Sequence, residues 1–155
     1  MSHPYELSLT QAADAIRTRD LSPVELVESC LARIEDLDPK LLAWATLTPD
    51  LALESARQAE REIATSGPKS PLHGIPYGAK DIFDTSGIRT AAGSKIWADR
   101  VPEQDSSPVA IVKRAGAVLM GKAHTTEFAA GDPAPSKNPW NVEHTAGGSS
   151  TGSGV

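Results

Sequence analysis

All twelve glycines of this chain lie between residues 67 and 155, and none lies in the first 66. A stretch that long without glycine has few residues able to take left-handed turns cheaply, so it favours helices and short connections. The charge changes at the same place. Residues 1–67 hold 6 basic and 12 acidic side chains, a net of −6; the remainder holds 9 and 8, a net of +1. The pattern predicts a helical layer, solvated on one face, followed by a turn-rich strand and loop region.

Cap chemistry marks three helix starts in the first part. Ser8-Leu9-Thr10-Gln11 offers a hydroxyl cap with a reciprocal glutamine, and Ser22-Pro23-Val24-Glu25 adds proline at the first helical position. Val24, Val27, Leu31, Ile34 and Leu37 follow at steps of three and four, and Pro39 is expected to end that helix. Thr48-Pro49 opens a third, with Ala52, Ala56, Ala59 and Ile63 inward, and Gly67-Pro68 stops it. Leu41–Leu47 reads as a short strand between the second and third helices.

In the second part, residues 75–83 form a candidate strand interrupted by Gly78, and Ser106 to Gly116 a helix. Val118-Leu119-Met120 is a buried strand bounded by Gly116 and Gly121. A helix followed at once by a short apolar strand is the spacing of an α/β layered fold. The stretch from Gly131 to Gly148 has three prolines and no period, so it reads as a loop, with Trp140 an anchor packing on the core.

At 155 residues the chain can bury about 70% of the surface its unfolded form exposes, enough for one core. A net charge of −5 gives no reason for broad contact with nucleic acid or an anionic membrane. No apolar run approaches the roughly 18 residues that span a bilayer. One cysteine, Cys30, excludes an intrachain disulfide framework and reads as packing at the helix seam. With neither a basic nor an apolar leader segment at its start, the chain is expected in the cytoplasm.

Two segments carry candidate chemistry. Lys80 stands among glycine, alanine and isoleucine in an otherwise apolar strand, with Asp81 directed to the opposite face. It is either a base in a site or a strand-end lysine with its head in water. Gly147-Gly148-Ser149-Ser150-Thr151-Gly152-Ser153-Gly154 is a flexible tail, an anion cradle of backbone N–H groups, or a tight turn presenting a serine. Other patterns fail. Ser66-Gly67-Pro68-Lys69 cannot form the helical turn that would bring its lysine onto its serine. His124-Thr125-Thr126-Glu127 lacks a second histidine at a metal-binding offset, so no metal is expected. His3, His73 and His144 lie in loop-like contexts without a nearby acid at triad spacing.

Taken together, Gly74-Ile75-Pro76, Lys80-Asp81, Gly116-Ala117, Gly121-Lys122, Glu127-Phe128, Asn138-Pro139-Trp140 and Gly147-Gly148-Ser149-Ser150 resemble the amidase signature family. The resemblance runs from about residue 8 to the end, in the family's order. It implies an α/β/α layered fold around a mixed sheet, with residues 1–155 the N-terminal part of a single amidase domain: a helical layer over 1–67, then first strands, helix and active-site loop over 68–155. It also implies amide hydrolysis by a Ser–cis-Ser–Lys triad without a cofactor. Lys80 matches the triad lysine, the base. Ser149 matches the cis-serine relay, whose bond to Gly148 is the cis one. Gly147, Gly148 and Ser150 shape the loop.

The family's nucleophilic serine is expected roughly two dozen residues beyond the relay, and serine catalysis requires it. Only six residues follow Ser149 here, and Ser150 and Ser153 belong to the loop's own pattern. The chain therefore reads as truncated before its nucleophile and inactive alone. The interval Ala129 to Lys137 is shorter than the glutamine-binding loop of the family's glutaminase subunit of tRNA-dependent amidotransferase. That favours a small linear carboxamide as substrate. The amidotransferase glutaminase with its partner subunits is the alternative, and a non-catalytic interaction module a third reading. A homodimer is compatible with the sequence; direct contact with nucleic acid or a membrane is not expected.

Overall fold

The structure, a computed structural model, describes residues 3–155 and divides into two compact units. The first takes the residues up to Asp36, Thr48–Tyr77 and Ile111–Met120; the second takes Leu37–Leu47, Gly78–Ala110 and Gly121–Val155.

Helices dominate the first unit. Helix α1 spans Leu9–Thr18 and is closed by the capping box expected from its sequence. Ser8 N–H donates to Gln11 Oε1 at 2.9 Å and Gln11 N–H to Ser8 Oγ at 3.3 Å. Helix α2, Pro23–Leu41, starts with the same reciprocal pair, Ser22 N–H to Glu25 Oε2 at 2.8 Å and Glu25 N–H to Ser22 Oγ at 3.0 Å. Helix α3, Pro49–Ser66, buries Ala52, Ala56, Ala59 and Ile63, the four positions its periodicity assigns inward. Ala12, Ile16, Leu26, Ile63 and Ile75 form a buried cluster against which Leu7, Ala13, Leu21 and Cys30 pack. Cys30 is thus a packing residue, and burial pushes its thiol pKa up.

In this unit His73 is buried beside a half-buried acid. Its Nε2 lies 3.1 Å from Glu62 Oε2, the oxygen that also takes Lys69 Nζ at 2.9 Å, while its Nδ1 accepts the Lys69 backbone N–H at 3.2 Å.

The second unit opens with the end of α2, which corrects the expectation that Pro39 stops this helix. It runs on to Leu41. The proline leaves the Glu35 carbonyl without its helical donor, but both residues are exposed and water can supply one. The helix ends where Leu42 turns to φ 55°. Its N–H reaches Asp38 O at 2.9 Å, and the Asp38 carboxylate caps the exit by accepting Ala43 N–H at 2.7 Å and Trp44 N–H at 3.2 Å.

Strands β1 (Trp44–Leu47), β2 (Pro76–Lys80) and β3 (Val118–Ala123) form a sheet of order β1–β3–β2. β1 runs antiparallel to β3, with Thr46 opposite Lys122 and Leu47 opposite Gly121. Residue numbers along β2 and β3 rise together. In the first unit Val118 N–H donates to Ile75 O at 2.8 Å; in the second, Asp81 N–H donates to Ala123 O at 2.8 Å. These two strands are therefore parallel and the sheet is mixed, as the resemblance implies. Helix α4, Ser107–Arg114, lies between them in sequence and takes the crossover position.

Two further expectations are corrected. β3 continues through Gly121, its expected boundary. Glycine stands there because a Cβ would strike the Thr46 carbonyl of the neighbouring strand, at φ 152°; it admits close approach and does not stop the strand. The stretch 131–148 is not wholly a loop: β4 (Lys137–Asn138) and β5 (Asn141–Thr145) pair antiparallel. Trp140 is 93% exposed and anchors nothing. It occupies the tight turn between these strands, where Asn138 Oδ1 accepts its N–H at 2.9 Å.

Candidate active site

Lys80, the last residue of β2, and Ser149, in the Gly/Ser loop, meet within the second unit: Lys80 Nζ donates to Ser149 Oγ at 2.7 Å. Both are half-buried. The peptide joining Gly148 to Ser149 is cis, the bond that the resemblance singles out. The flexible-tail reading of this loop does not hold, because its backbone is tied down at several points. Thr126 N–H donates to Ser149 O at 3.0 Å and Gly152 N–H to His124 O at 3.0 Å. The buried Thr151 donates its hydroxyl to His124 O at 3.1 Å and receives the Ser136 hydroxyl at 3.2 Å; Ser136 also bonds Leu42 O at 2.8 Å.

Gly147, at φ 84°, is exposed at the loop entrance. Gly148 passes close to the Thr126 methyl, which would lie 3.1 Å from an added Cβ. Ser150 is exposed, and its carbonyl accepts Ser153 N–H at 3.1 Å and Gly154 N–H at 3.2 Å. Ser150 therefore closes the short 3₁₀ turn Thr151–Ser153. The loop is a tight turn, with Ser149 presented toward Lys80.

Asp81, the residue after Lys80, faces a second lysine whose chemistry the sequence motifs do not announce. Lys122 in β3 is fully buried. Its Nζ donates to Thr90 Oγ1 at 2.6 Å and to Phe83 O at 2.8 Å, and sits 3.6 Å from Asp81 Oδ1. Asp81 is itself 1% exposed and accepts Ala91 N–H on its other oxygen at 3.1 Å. Burial pushes the Lys122 pKa down, and the Asp81 carboxylate opposes that shift. A signal does exist in the sequence: a lysine in Val-Leu-Met-Gly-Lys-Ala is as anomalous as the one in Tyr-Gly-Ala-Lys that singles out Lys80.

A cleft of about 470 Å³ opens in the same unit, lined by Asp81, Arg89, Ser94, His124, Glu127 and Asp132 among others. Neither Lys80 nor Ser149 lines it. Ser94 Oγ donates to Glu127 Oε1 at 2.6 Å, and burial lowers the His124 pKa. Both places hold a base in hydrogen-bond reach of a hydroxyl, Glu127 beside Ser94 and Lys80 beside Ser149; the second is the candidate site because it is the pair the resemblance singles out. No group of three or more metal-ligating side chains occurs among the described residues.

Comparison with known proteins places this architecture. The peptide amidase of Stenotrophomonas maltophilia superposes with a TM-score of 0.89 at 32% identity, over 98% of this chain and 34% of that one. By fold and sheet the chain is thus an α/β protein of the kind found in amide-hydrolysing enzymes. A glutamyl-tRNA(Gln) amidotransferase subunit of Geobacter metallireducens (strain ATCC 53774 / DSM 7210 / GS-15) is 46% identical, over 96% of this chain and 32% of its own length. AmiD of Mycobacterium tuberculosis (strain ATCC 25618 / H37Rv), whose assignment as an amidase is itself provisional, is 45% identical over 97% and 32%. The family profile named Amidase matches residues 25–155, and the chain belongs to that family. It spans about a third of the length of the curated relatives it matches.

Proposed function

We propose that these residues form the N-terminal third of an amidase that hydrolyses a small linear carboxamide to acid and ammonia or amine. The observation that carries this reading is the 2.7 Å hydrogen bond between Lys80 Nζ and Ser149 Oγ. Lys80 as the unprotonated amine takes the proton of the Ser149 hydroxyl while Ser149 takes that of a nucleophilic serine, so the hydroxyl relays a proton without being consumed. The same two groups return the proton to the leaving nitrogen and then draw one from the water that releases the acid. The nucleophile is supplied by sequence that these 155 residues do not include.

The test uses the full-length gene product. Ammonia release from a panel of simple carboxamides is expected, with Lys80→Ala and Ser149→Ala each lowering kcat by about 10²–10⁴. Wild-type rates in both variants, or no turnover of any amide by the parent, would overturn the reading.

A second reading, the glutaminase subunit of a tRNA-dependent amidotransferase, is supported by the 46% identity to the amidotransferase subunit of Geobacter metallireducens. It expects glutamine to be the preferred amide and partner subunits to co-purify. The short interval from Ala129 to Lys137 favours the first reading.

A further inference from the structure

The buried Lys122 has no role in the proton relay, and burying a full lysine charge is costly unless something specific is gained. Its partners converge on the backbone around Lys80. Phe83, whose carbonyl Lys122 holds at 2.8 Å, donates its own N–H to Lys80 O at 3.0 Å. Asp81, next to Lys80 and 3.6 Å from Lys122 Nζ, is fixed through its backbone as well. Its N–H donates to Ala123 O at 2.8 Å, and its carbonyl accepts Ala92 N–H at 2.9 Å. Thr90, fully buried, takes the third contact at 2.6 Å. The turn that ends β2 is thus gripped from its interior side by one ammonium group. Lys80, on the other side of the same strand end, reaches Ser149.

From this geometry we propose that Lys122, acting through Asp81, Phe83 and Thr90, is a positioning residue that fixes the backbone from which Lys80 reaches Ser149. The proposal rests on the amidase reading for its kinetic consequence but not for its structural one. Two of the three contacts, to Phe83 O and to the Asp81 carboxylate, belong to the strand end itself, and the third, to Thr90, braces the ammonium that makes them. Without the cation, the 80–83 turn keeps the backbone bonds of Asp81 to Ala123 and Ala92 but loses the hold on Phe83 O and the charge facing Asp81, and the strand end shifts within what those bonds allow. Displacements of about 1 Å at a reacting group cost roughly 100-fold in rate.

The experiment uses Lys122→Met, Asp81→Asn with Lys122→Met, and Thr90→Val in the full-length protein. Thr90→Val is nearly isosteric, removes one contact, and keeps the test alive should Lys122→Met fail to fold. Crystal structures of the variants are expected to show the Lys80 Nζ to Ser149 Oγ distance lengthened beyond 3.5 Å in Lys122→Met, and lengthened less in Thr90→Val. An unchanged contact in folded variants would overturn the proposal whatever the enzyme does. On the best amide found, kcat is expected to fall about 100-fold in Lys122→Met and severalfold in Thr90→Val, with KM held within twofold. A purely structural role would instead lower the folded fraction and leave kcat per folded molecule unchanged. In the double variant the kcat loss should not exceed that of Lys122→Met alone, as members of one unit require; independent, multiplying losses would count against the pair. If the parent hydrolyses no amide, the functional reading fails while the distance measurement still decides this proposal.

Discussion

Lys122 and Asp81 face each other at 3.6 Å with side-chain exposures of 0% and 2%, so neither charge is shared with solvent. A pair in that position is far more sensitive to losing one member than to losing both. Lys122→Leu is therefore expected to destabilise the protein by about 3–5 kcal/mol, because it strands a buried carboxylate. Lys122→Leu combined with Asp81→Leu should cost clearly less than either change alone. Urea unfolding of the three variants checks this; a double variant as unstable as the sum of the singles would show the pair is not the controlling interaction.

Stability should fall on acidification, beginning near neutral pH. His73 Nδ1 accepts a backbone N–H, so the folded protein holds the neutral ring, and burial lowers its pKa. Protonation would cost that bond. Glu62, hydrogen-bonded first of all by Lys69, is held down at about 2. Both groups bind fewer protons folded than unfolded. Their contributions are complete above the unfolded pKa values, about 6.5 for the histidine and 4.5 for the acid. The His73 contribution begins to be lost as pH falls below 6.5, and that of Glu62 is lost between 4.5 and about 2. Urea midpoints against pH, compared for the parent and His73→Gln, should show the slope between pH 7 and 5 flattened in the variant. Parallel curves would contradict it.

Gly152→Ala should dislodge the loop that presents Ser149. An added Cβ would collide with the Ala43 carbonyl and come 2.6 Å from His124 N, and backbone cannot retreat as a side-chain tip can. A cost of about 1–3 kcal/mol is expected, together with loss of the Lys80–Ser149 contact. Gly147→Asn makes the contrast. Its φ of 84° tolerates asparagine and nothing lies within 4 Å of its Cβ, so its cost should stay near 1 kcal/mol or below. Equal effects at the two positions, measured by thermal unfolding, would refute this account of the loop.

Ser136→Ala removes two bonds at once, to Leu42 O at 2.8 Å and to Thr151 Oγ1 at 3.2 Å, at a site that is 2% exposed. The expected loss is about 1–3 kcal/mol, with faster amide hydrogen exchange at Gly152, whose N–H depends on the same stretch of loop. Exchange unchanged at Gly152 would separate Ser136 from the loop's order.

Local rules carry much of this fold into view. The two capping boxes, the alanine face of α3 and the α4–β3 succession follow from side-chain chemistry within a few residues, and each forms as expected. Where local rules fail, the deciding partner is usually far away in sequence. Pro39 has the look of a stop because a proline breaks a helix interior, but two residues from an exposed end its cost is small. Gly121 has the look of a boundary, though the Thr46 carbonyl that requires glycine there belongs to a strand on the far side of two helices in sequence. Trp140 has the size of a core anchor, but a two-residue turn keeps it from reaching any core. At the site, Lys80 and Ser149 are each ambiguous alone and become a pair only through the ordered motifs of a family. Lys122 and Asp81 both stand in those motifs, yet the motifs do not show that they face each other, nor that Phe83 and Thr90 complete the buried contact.

The end of β2 places unlike demands on adjacent positions: Lys80 answers to Ser149 on one side and Asp81 to Lys122 on the other. Side chains alternate along a strand, so adding or deleting one residue between Pro76 and Lys80 would exchange the two. The carboxylate would turn toward the loop hydroxyl and the lysine would be driven in against another lysine. Length, more than composition, is what this strand cannot change. Its apolar positions have room to drift among residues of similar size, while an indel of a single codon would invert the charges at the site and in the core together.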